Sequence, residues 1–470
     1  MIGIGIDFGT SNSAVASFDG KRVVLIQLEQ HDTIMPTATH IDRDLQTTTG
    51  ETAVELYISE NRDRRVELTP EIVAKSVLLV NEGNLDDPHS SPETVSSNVY
   101  GKAVTDRGMP GRLFRGVKRL LGNSEIKRLL VFDHPFRLVA LITPVLLRIR
   151  QAVELHVAEP LGDVHVGHPV RFEGQDAFRN TMALSRLEEA CRYAGFSDLS
   201  FYPEPVAATL SYLYDEPHLD SGKVLTLDFG GGTLDLSILT YNGVKFEVLA
   251  TAGRPLGGDH IDQLIFRSLL FPLLGKGESW SRVRDGLLIE TEFPFEEFEE
   301  LLVNWAVTYT LNQNHYRSKV ADCIAKGGPG AEKFERLQDL ITHNYSYLVF
   351  QAIRDAKAAL SNTVETVLDI PELDIQIGFS RAQLEEMMQP MLADIDEVID
   401  EVLTASGLQI RDIDVVIRTG GSSQIMAVRK LLDKKFPGKV TEHDPFTSVA
   451  AGLAIASYHG YQFKAPIPHT

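Results

Sequence analysis

Cysteine is nearly absent: Cys191 and Cys323 are the two in 470 residues. Two thiols offer no disulfide framework and fit a reducing compartment. Basic residues are also short, 45 against 65 acids, for a net charge of −20. That balance argues against broad binding to nucleic acid or anionic membranes and indicates mainly a soluble surface. Long apolar runs are missing too. The longest, Leu138 to Leu147, has ten residues and contains Pro144, against the ~20 needed to span a bilayer. The N-terminus enters an expected strand at once, without a basic leader or cleavage signal. These features predict a cytoplasmic protein with neither nucleic acid nor membrane as partner. No solenoid period of 20 to 50 residues is visible. With 43% hydrophobic and 23% charged residues, the chain has the composition of a globular protein and the length for two or more domains.

One pattern is present twice, far apart: IGIDFGTSNSAVA from Ile4 to Ala16, and VLTLDFGGGTLDLSIL from Val224 to Leu239. Each reads as an apolar strand, then Asp-Phe-Gly, a turn of small residues, and a second strand. A turn of Gly, Thr and Ser lets backbone N–H groups approach an anion without side-chain obstruction. An aspartate at the strand end can face a divalent cation, directly or through water, because Mg2+ keeps several waters. Two such turns, one per half, suggest a nucleotide with its phosphates clamped between two lobes. For Asp7 and Asp228 alone, turn-stabilising side-chain bonds are the competing explanation.

The rest of the chain alternates strands and helices, which argues for two α/β lobes. Residues 1–28 read as strand, turn, strand, strand, and Asn81 to Ser97 as a long surface loop. Helices are expected from Phe136 to Glu159 and from Asp176 to Ala194, with a strand at Val164 to Val170. Pro205 opens a further helix near its first turn. Gly258 to Lys357 reads as mainly helical, and its acidic run EFPFEEFEELL, Glu292 to Leu302, as a solvated helix face. Val415 to Ile417 should be a buried strand feeding Thr419-Gly420-Gly421-Ser422 and a helix to Lys435. A small-residue helix, Ser448 to Ser457, closes the chain.

Taken with the Gly420-Gly421-Ser422 turn, the paired motifs make the chain resemble the actin-like ATPase superfamily and, within it, the heat-shock protein 70 (DnaK) chaperones. It looks closest to the YegD-type members, which keep the ATPase region and lack the usual peptide-binding module. The resemblance implies an α/β, two-lobed actin-like ATPase fold made of duplicated ribonuclease H-like domains, with a helical insertion in the second lobe. Lobe I would cover 1–220, completed by 444–470. Lobe II would cover 221–443, including a mainly helical subdomain at about 260–375. The implied cofactors are ATP or ADP and Mg2+.

Residue by residue, the resemblance assigns phosphate contacts to Gly9, Thr10, Ser11 and Asn12, to Gly230, Gly231, Gly232 and Thr233, and to Gly257 and Gly258. Asp7 and Asp228 would hold magnesium, through water. Glu204, in Glu204-Pro205-Val206-Ala207-Ala208, would orient Mg-bound or attacking water. A γ-phosphate lysine is expected at Lys102 by ungapped counting, with Lys118 as the alternative. Lysine there neutralises charge on the transferred phosphoryl group. Pro169 and Arg179 would relay nucleotide state. The adenosine end falls to Lys357 and Ser361, four apart on one helical face, and to Gly420, Gly421, Ser422 and Gln424. Gln424 stands where the family has a base-stacking arginine, and Phe446 where it has an aspartate.

Thirteen residues follow Ser457, so the usual peptide clamp is not expected. The leading expectation is a slow Mg-dependent ATPase of chaperone type, with lobe movement read by an unidentified protein client or cochaperone. A non-hydrolysing ATP-sensing scaffold and an actin-like filament-forming ATPase are the alternatives. His165 and His168, read as facing one side of a strand, lack a third ligand, and a satisfied pair is expected instead.

Overall fold

The computed structural model describes residues 2–461 except 81–92, 107, 133, 158–161, 171, 173–176, 217–219, 243–244, 285–286 and 329. At 68–80, 93–105, 177–178, 281–284 and 287–288 it describes the backbone alone. Two sheets dominate, and they share one wiring. In the first, Val23–Leu25, Asn12–Phe18 and Gly3–Phe8 are antiparallel neighbours. Val164–His168 and Leu199–Pro203 then continue the sheet in parallel. In the second, Lys245–Arg254, Leu234–Asn242 and Ser221–Phe229 are antiparallel, and Val415–Thr419 and Val440–Glu442 extend them in parallel. A further strand, Ile34–Pro36, pairs with the start of Asn12–Phe18.

The central strands are apolar almost without alternation, as burial on both faces requires. Polar residues collect where each hairpin turns. Register places Asp7 opposite Ala14 and Asp228 opposite Asp235. The two turns therefore occupy the same position in their respective sheets.

Two helices fill the space between the sheets. Glu204–Asp215 follows directly from the strand Leu199–Pro203, with Pro205 in its first turn, where no helical N–H bond is lost. Ser448–His459 is buried from Ser448 through Ser457, as a helix apolar all round must be. Glycines let these elements touch backbone to backbone. A Cβ on Gly5 would come within 2.2 Å of the Ala450 carbonyl, and one on Gly452 within 1.8 Å of the Ala207 carbonyl.

Outside this layer, Leu138–His156 and Ala177–Tyr193 cover the far face of the first sheet. The second sheet carries a larger apolar body that includes Phe266, Phe271, Phe293, Phe298, Phe334 and Phe350. Between Gly258 and Lys357 the chain is helical as expected, but it also contains the hairpin Ser279–Arg284 with Leu287–Glu292. The acidic run differs from a solvated face. Phe293, Phe295, Phe298 and Leu302 point into the core, while Glu297 pairs with Lys319 and His315, and Glu299 with Lys276 and Arg267. Of the expected surface loop, 81–92 lies outside the described residues. The remainder, from residue 93, runs into the strand Glu93–Asp106, which pairs with Leu68–Val80. Among the described residues no helix is long and apolar enough to cross a membrane.

Candidate functional site

Both hairpin turns point into the same gap. A Cβ on Gly231 would sit 2.9 Å from Ser11 Oγ, and one on Gly232 would sit 3.1 Å from Thr10 Cγ2. The two turns thus face each other at side-chain contact range. A cavity between them is lined by Thr10, Lys118, Arg119, Pro169, Gly232 and Thr233. Gly9, Thr10 and Ser11 are half-buried at its first edge and Asn12 is exposed. At the second edge the turn is closed by Gly230 N–H donating to the Thr233 carbonyl at 3.0 Å.

The floor holds four carboxylates and one ammonium. Lys118 lies in the short helix Val117–Leu120, which follows the left-handed Gly116. It is 2% exposed. Its Nζ donates to Glu204 Oε1 at 2.5 Å and lies 6.0 Å from the Phe8 ring beside the first turn. Burial, then the Glu204 charge, pushes the Asp7 carboxyl up to about 7 against the pull of Lys118. Asp228 is raised well above the usual carboxylate range by burial, then by Glu204, Asp235 and Asp7. Asp235 reaches about 7 through burial and Glu204, although the Thr233 hydroxyl and the Val170 N–H hydrogen-bond to it and Lys118 lowers it. Asp7 and Asp228 keep part of their surface open to the gap while protein surrounds them. One ammonium cannot balance this set, so the floor attracts cations. Among the described residues no three His, Cys, Asp or Glu side chains converge as direct metal ligands.

Several bonds tie the two sides across the gap. Val170 N–H, just past the first-sheet strand, donates to Asp235 Oδ1 at 2.8 Å. Arg119 pairs with Asp259 at 3.2 Å. Pro169 lines the cavity, and its carbonyl accepts from His168 Nδ1 at 2.7 Å. His168 is held neutral, its value lowered to about 4 chiefly by burial. His165 instead bonds Asp163 at 3.0 Å and stacks on Tyr202. A three-residue offset puts the two histidines on opposite strand faces, so they do not form a pair. Arg179 lies in the first turn of Ala177–Tyr193.

The second half supplies a further wall. Gly258 N–H donates to the Gly230 carbonyl at 3.0 Å, and Asp259 N–H to the Gly231 carbonyl at 2.8 Å. Ser422 Oγ donates to the same Gly230 carbonyl at 2.9 Å. Lys357 Nζ reaches the Gly258 carbonyl at 3.2 Å and Asp262 Oδ1 at 2.5 Å. Ser361 follows one turn later on the same helix, Ser346–Asn362. A Cβ on Gly257 would lie 2.2 Å from the Gly231 carbonyl. Gly420 has φ +81, and a side chain there would meet Asp228 Oδ1 and the Phe229 carbonyl at 2.5 Å. Only glycine suits that left-handed, crowded position.

The structure therefore brings together the two turns, Asp7, Asp228, Glu204, Thr233, Gly257, Gly258, Lys357 and the 420–422 turn. Lys102 falls in the strand Glu93–Asp106, at a position whose side chain lies outside the described residues. Sequence reading missed the Arg119–Asp259 tie and the Val170–Asp235 bond. Neither has a local signal, because their partners are 140 and 65 residues apart.

Comparison with known proteins agrees with this geometry. The family described as "Hsp70 protein" matches residues 129–273 and 337–458, segments that contain Glu204, Asp228, Thr233, Gly258, Lys357 and Gly420. The chain is 25% identical over 455 residues to Chaperone protein DnaK 3 of Synechococcus sp., covering 96% of this chain and 57% of that protein. It is 25% identical over 460 residues to a Chaperone protein HscA homolog of Haemophilus influenzae, covering 97% and 57%. Chaperone protein DnaK of Thermoplasma acidophilum is 24% identical over 465 residues, covering 96% and 57%. The chain thus spans a little over half the length of these relatives. The family match covers more than half of the chain and the second-half wall of the gap, and on that ground the chain belongs to the Hsp70 protein family.

Proposed function

We propose that the chain binds Mg-ATP in the gap between its sheets and hydrolyses it slowly. One observation carries this: the buried Lys118–Glu204 pair, ringed by Asp7, Asp228 and Asp235, beneath two facing glycine turns. The Hsp70 family has the actin-like ATPase fold. Within it we assign lobe I to 1–220 with 444–470, and lobe II to 221–443 with a mainly helical subdomain at about 260–375. The shared sheet wiring supports that division.

Backbone N–H groups of Gly9–Asn12 and Gly231–Thr233 would hold the phosphates, with Gly230, Gly257 and Gly258, whose N–H groups are bonded within the protein, shaping the turn and wall beside them. The donors at the floor are hard carboxylate oxygens in surplus, which suits Mg2+ kept partly hydrated by Asp7 and Asp228. When bound, the ion would offset negative charge on the phosphates. Glu204 orients the attacking water, and Thr233 places its hydroxyl at the same turn. The bond from the γ-phosphorus to its bridging oxygen breaks, leaving ADP and phosphate. Lys118, rather than Lys102, is the cation we assign to that phosphoryl group, because it already lies against Glu204 and the first turn. Lys357 and Ser361 take the ribose, and Gly420, Gly421, Ser422 and Gln424 the base.

The biological role we infer is chaperone-like and cytoplasmic, with a protein client or cochaperone as partner. The names of the relatives, all chaperone proteins, support this. ATP binding and phosphate release with and without Mg2+ test the reading. Asp7→Asn or Thr233→Ala should abolish turnover, and unchanged turnover in both variants would sink it.

A further inference from the structure

Among the described residues, Phe446 is a large aromatic side chain left exposed beside the gap, at 58%. Its position is firmly set. Asp444 Oδ1 accepts from Phe446 N–H and from Thr447 N–H, both at 3.1 Å. The Asp444 carbonyl accepts from Thr419 Oγ1 at 3.1 Å, which anchors the loop to the end of a central strand. One edge of the ring rests on the glycine turn, since a Cβ on Gly421 would lie 2.9 Å from Phe446 Cε1. Beyond Gly421 the wall continues through Ser422 to Gly258 and Lys357, because a Cβ on Gly258 would meet Ser422 Oγ at 2.6 Å and Lys357 Nζ at 3.3 Å. The ring thus stands at the far end of the wall that begins at the phosphate turn.

Two further observations point to a flat, polar-edged ligand. Gln424 Nε2 is buried with no hydrogen-bond partner among the described residues, although a buried amide donor costs free energy when unpaired. Arg354, the cation nearest Lys357 on its helix, is occupied with the Tyr347 ring at 5.6 Å. The wall therefore offers an aromatic face and an unused N–H rather than a guanidinium.

We propose that Phe446 is the stacking platform for the nucleotide base and that Gln424 Nε2–H donates to an acceptor on the base edge. This rests on the nucleotide reading above and adds the residues that grip the base. Stacking on an uncharged ring accepts any base, because every base has a π-face. Selection among bases then falls to the single amide donor of Gln424.

The test is equilibrium binding of Mg-ATP, Mg-GTP and Mg-tripolyphosphate to the full chain and to Phe446→Ala, Phe446→Tyr and Gln424→Ala. Phe446→Ala should weaken ATP and GTP alike, by roughly tenfold or more, and leave tripolyphosphate unchanged. Phe446→Tyr should restore both nucleotides, and Gln424→Ala should change the ATP-to-GTP ratio. Unchanged ATP affinity in Phe446→Ala overturns the platform while leaving the nucleotide reading intact. So does an equal loss for tripolyphosphate, or failure of tyrosine to restore binding. Absence of ATP binding to the unaltered chain overturns both.

Discussion

Lys118 is surrounded by more negative charge than it can balance. Removing it leaves Glu204 buried without its cation, and breaking a buried pair typically costs about 3–5 kcal/mol. Lys118→Ala should lower phosphate release by about 100-fold or more and reduce the melting temperature, read by single-turnover assay and thermal scan. Lys102→Ala, measured alongside, should stay near the unaltered rate. The carboxylates also make stability depend on pH. Burial pushes the Asp7 and Asp235 carboxyls up to about 7 in the folded chain, against an ordinary 3.8. The folded state therefore holds protons that the unfolded chain has released, and stability falls as pH rises from about 4 through about 7. His168 acts oppositely, because its folded value near 4 lies below 6.5, so its contribution is lost as pH falls between those values. Above pH 6.5 the histidine contribution levels off, as the unfolded imidazoles become neutral, while that of the aspartates continues to fall. Chemical denaturation without divalent ions should show lower stability at pH 8 than at pH 6.5. Asp7→Asn should flatten that slope, and an equal slope in the variant would refute the assignment.

At the scale of elements, tight packing is the constraint. Gly452 lies mid-helix, where alanine would ordinarily gain about 0.5–1 kcal/mol. Here the new methyl would strike the Ala207 carbonyl, at 1.8 Å, and overpacking of that kind costs about 1–3 kcal/mol. Gly452→Ala should therefore destabilise on balance. Gly378→Ala, where nothing lies within 4 Å, should stay within about 0.5 kcal/mol, and denaturant midpoints compare the two. Much at this scale was legible beforehand. The strands flanking Asp7 and Asp228, the helix after Glu204 and the Ser448 helix each carry local patterns of apolar residues, Gly and Pro. The acidic run was not. Its Phe293, Phe295 and Phe298 anchor a core assembled from distant helices, while its glutamates meet cations from Arg267, Lys276 and Lys319. The Lys118–Glu204 bond was equally closed to counting, because its partners lie 86 residues apart.

For the whole molecule, the gap joins two similarly wired sheets through a few bonds, among them Arg119–Asp259 and Val170–Asp235. A ligand that bridges the turns should stabilise both halves together. At 100 times its dissociation constant, Mg-ATP should add about 2.7 kcal/mol, seen as one shifted transition. Asp259→Asn should weaken the tie without altering the floor, giving faster amide exchange at Gly230–Thr233 in the nucleotide-free chain. Unchanged exchange there would show that the tie carries no load.

Gly452 against Ala207 has a mechanical meaning beyond its packing cost. Two backbones in direct contact have no side chain to slide over, and strands of both sheets pack against the two helices. The crossing therefore acts as a rigid seam inside lobe I, and the two helices should move as one piece when the turns separate. Glu204 opens the helix that carries Ala207, so a change of charge at the floor is passed straight into that seam.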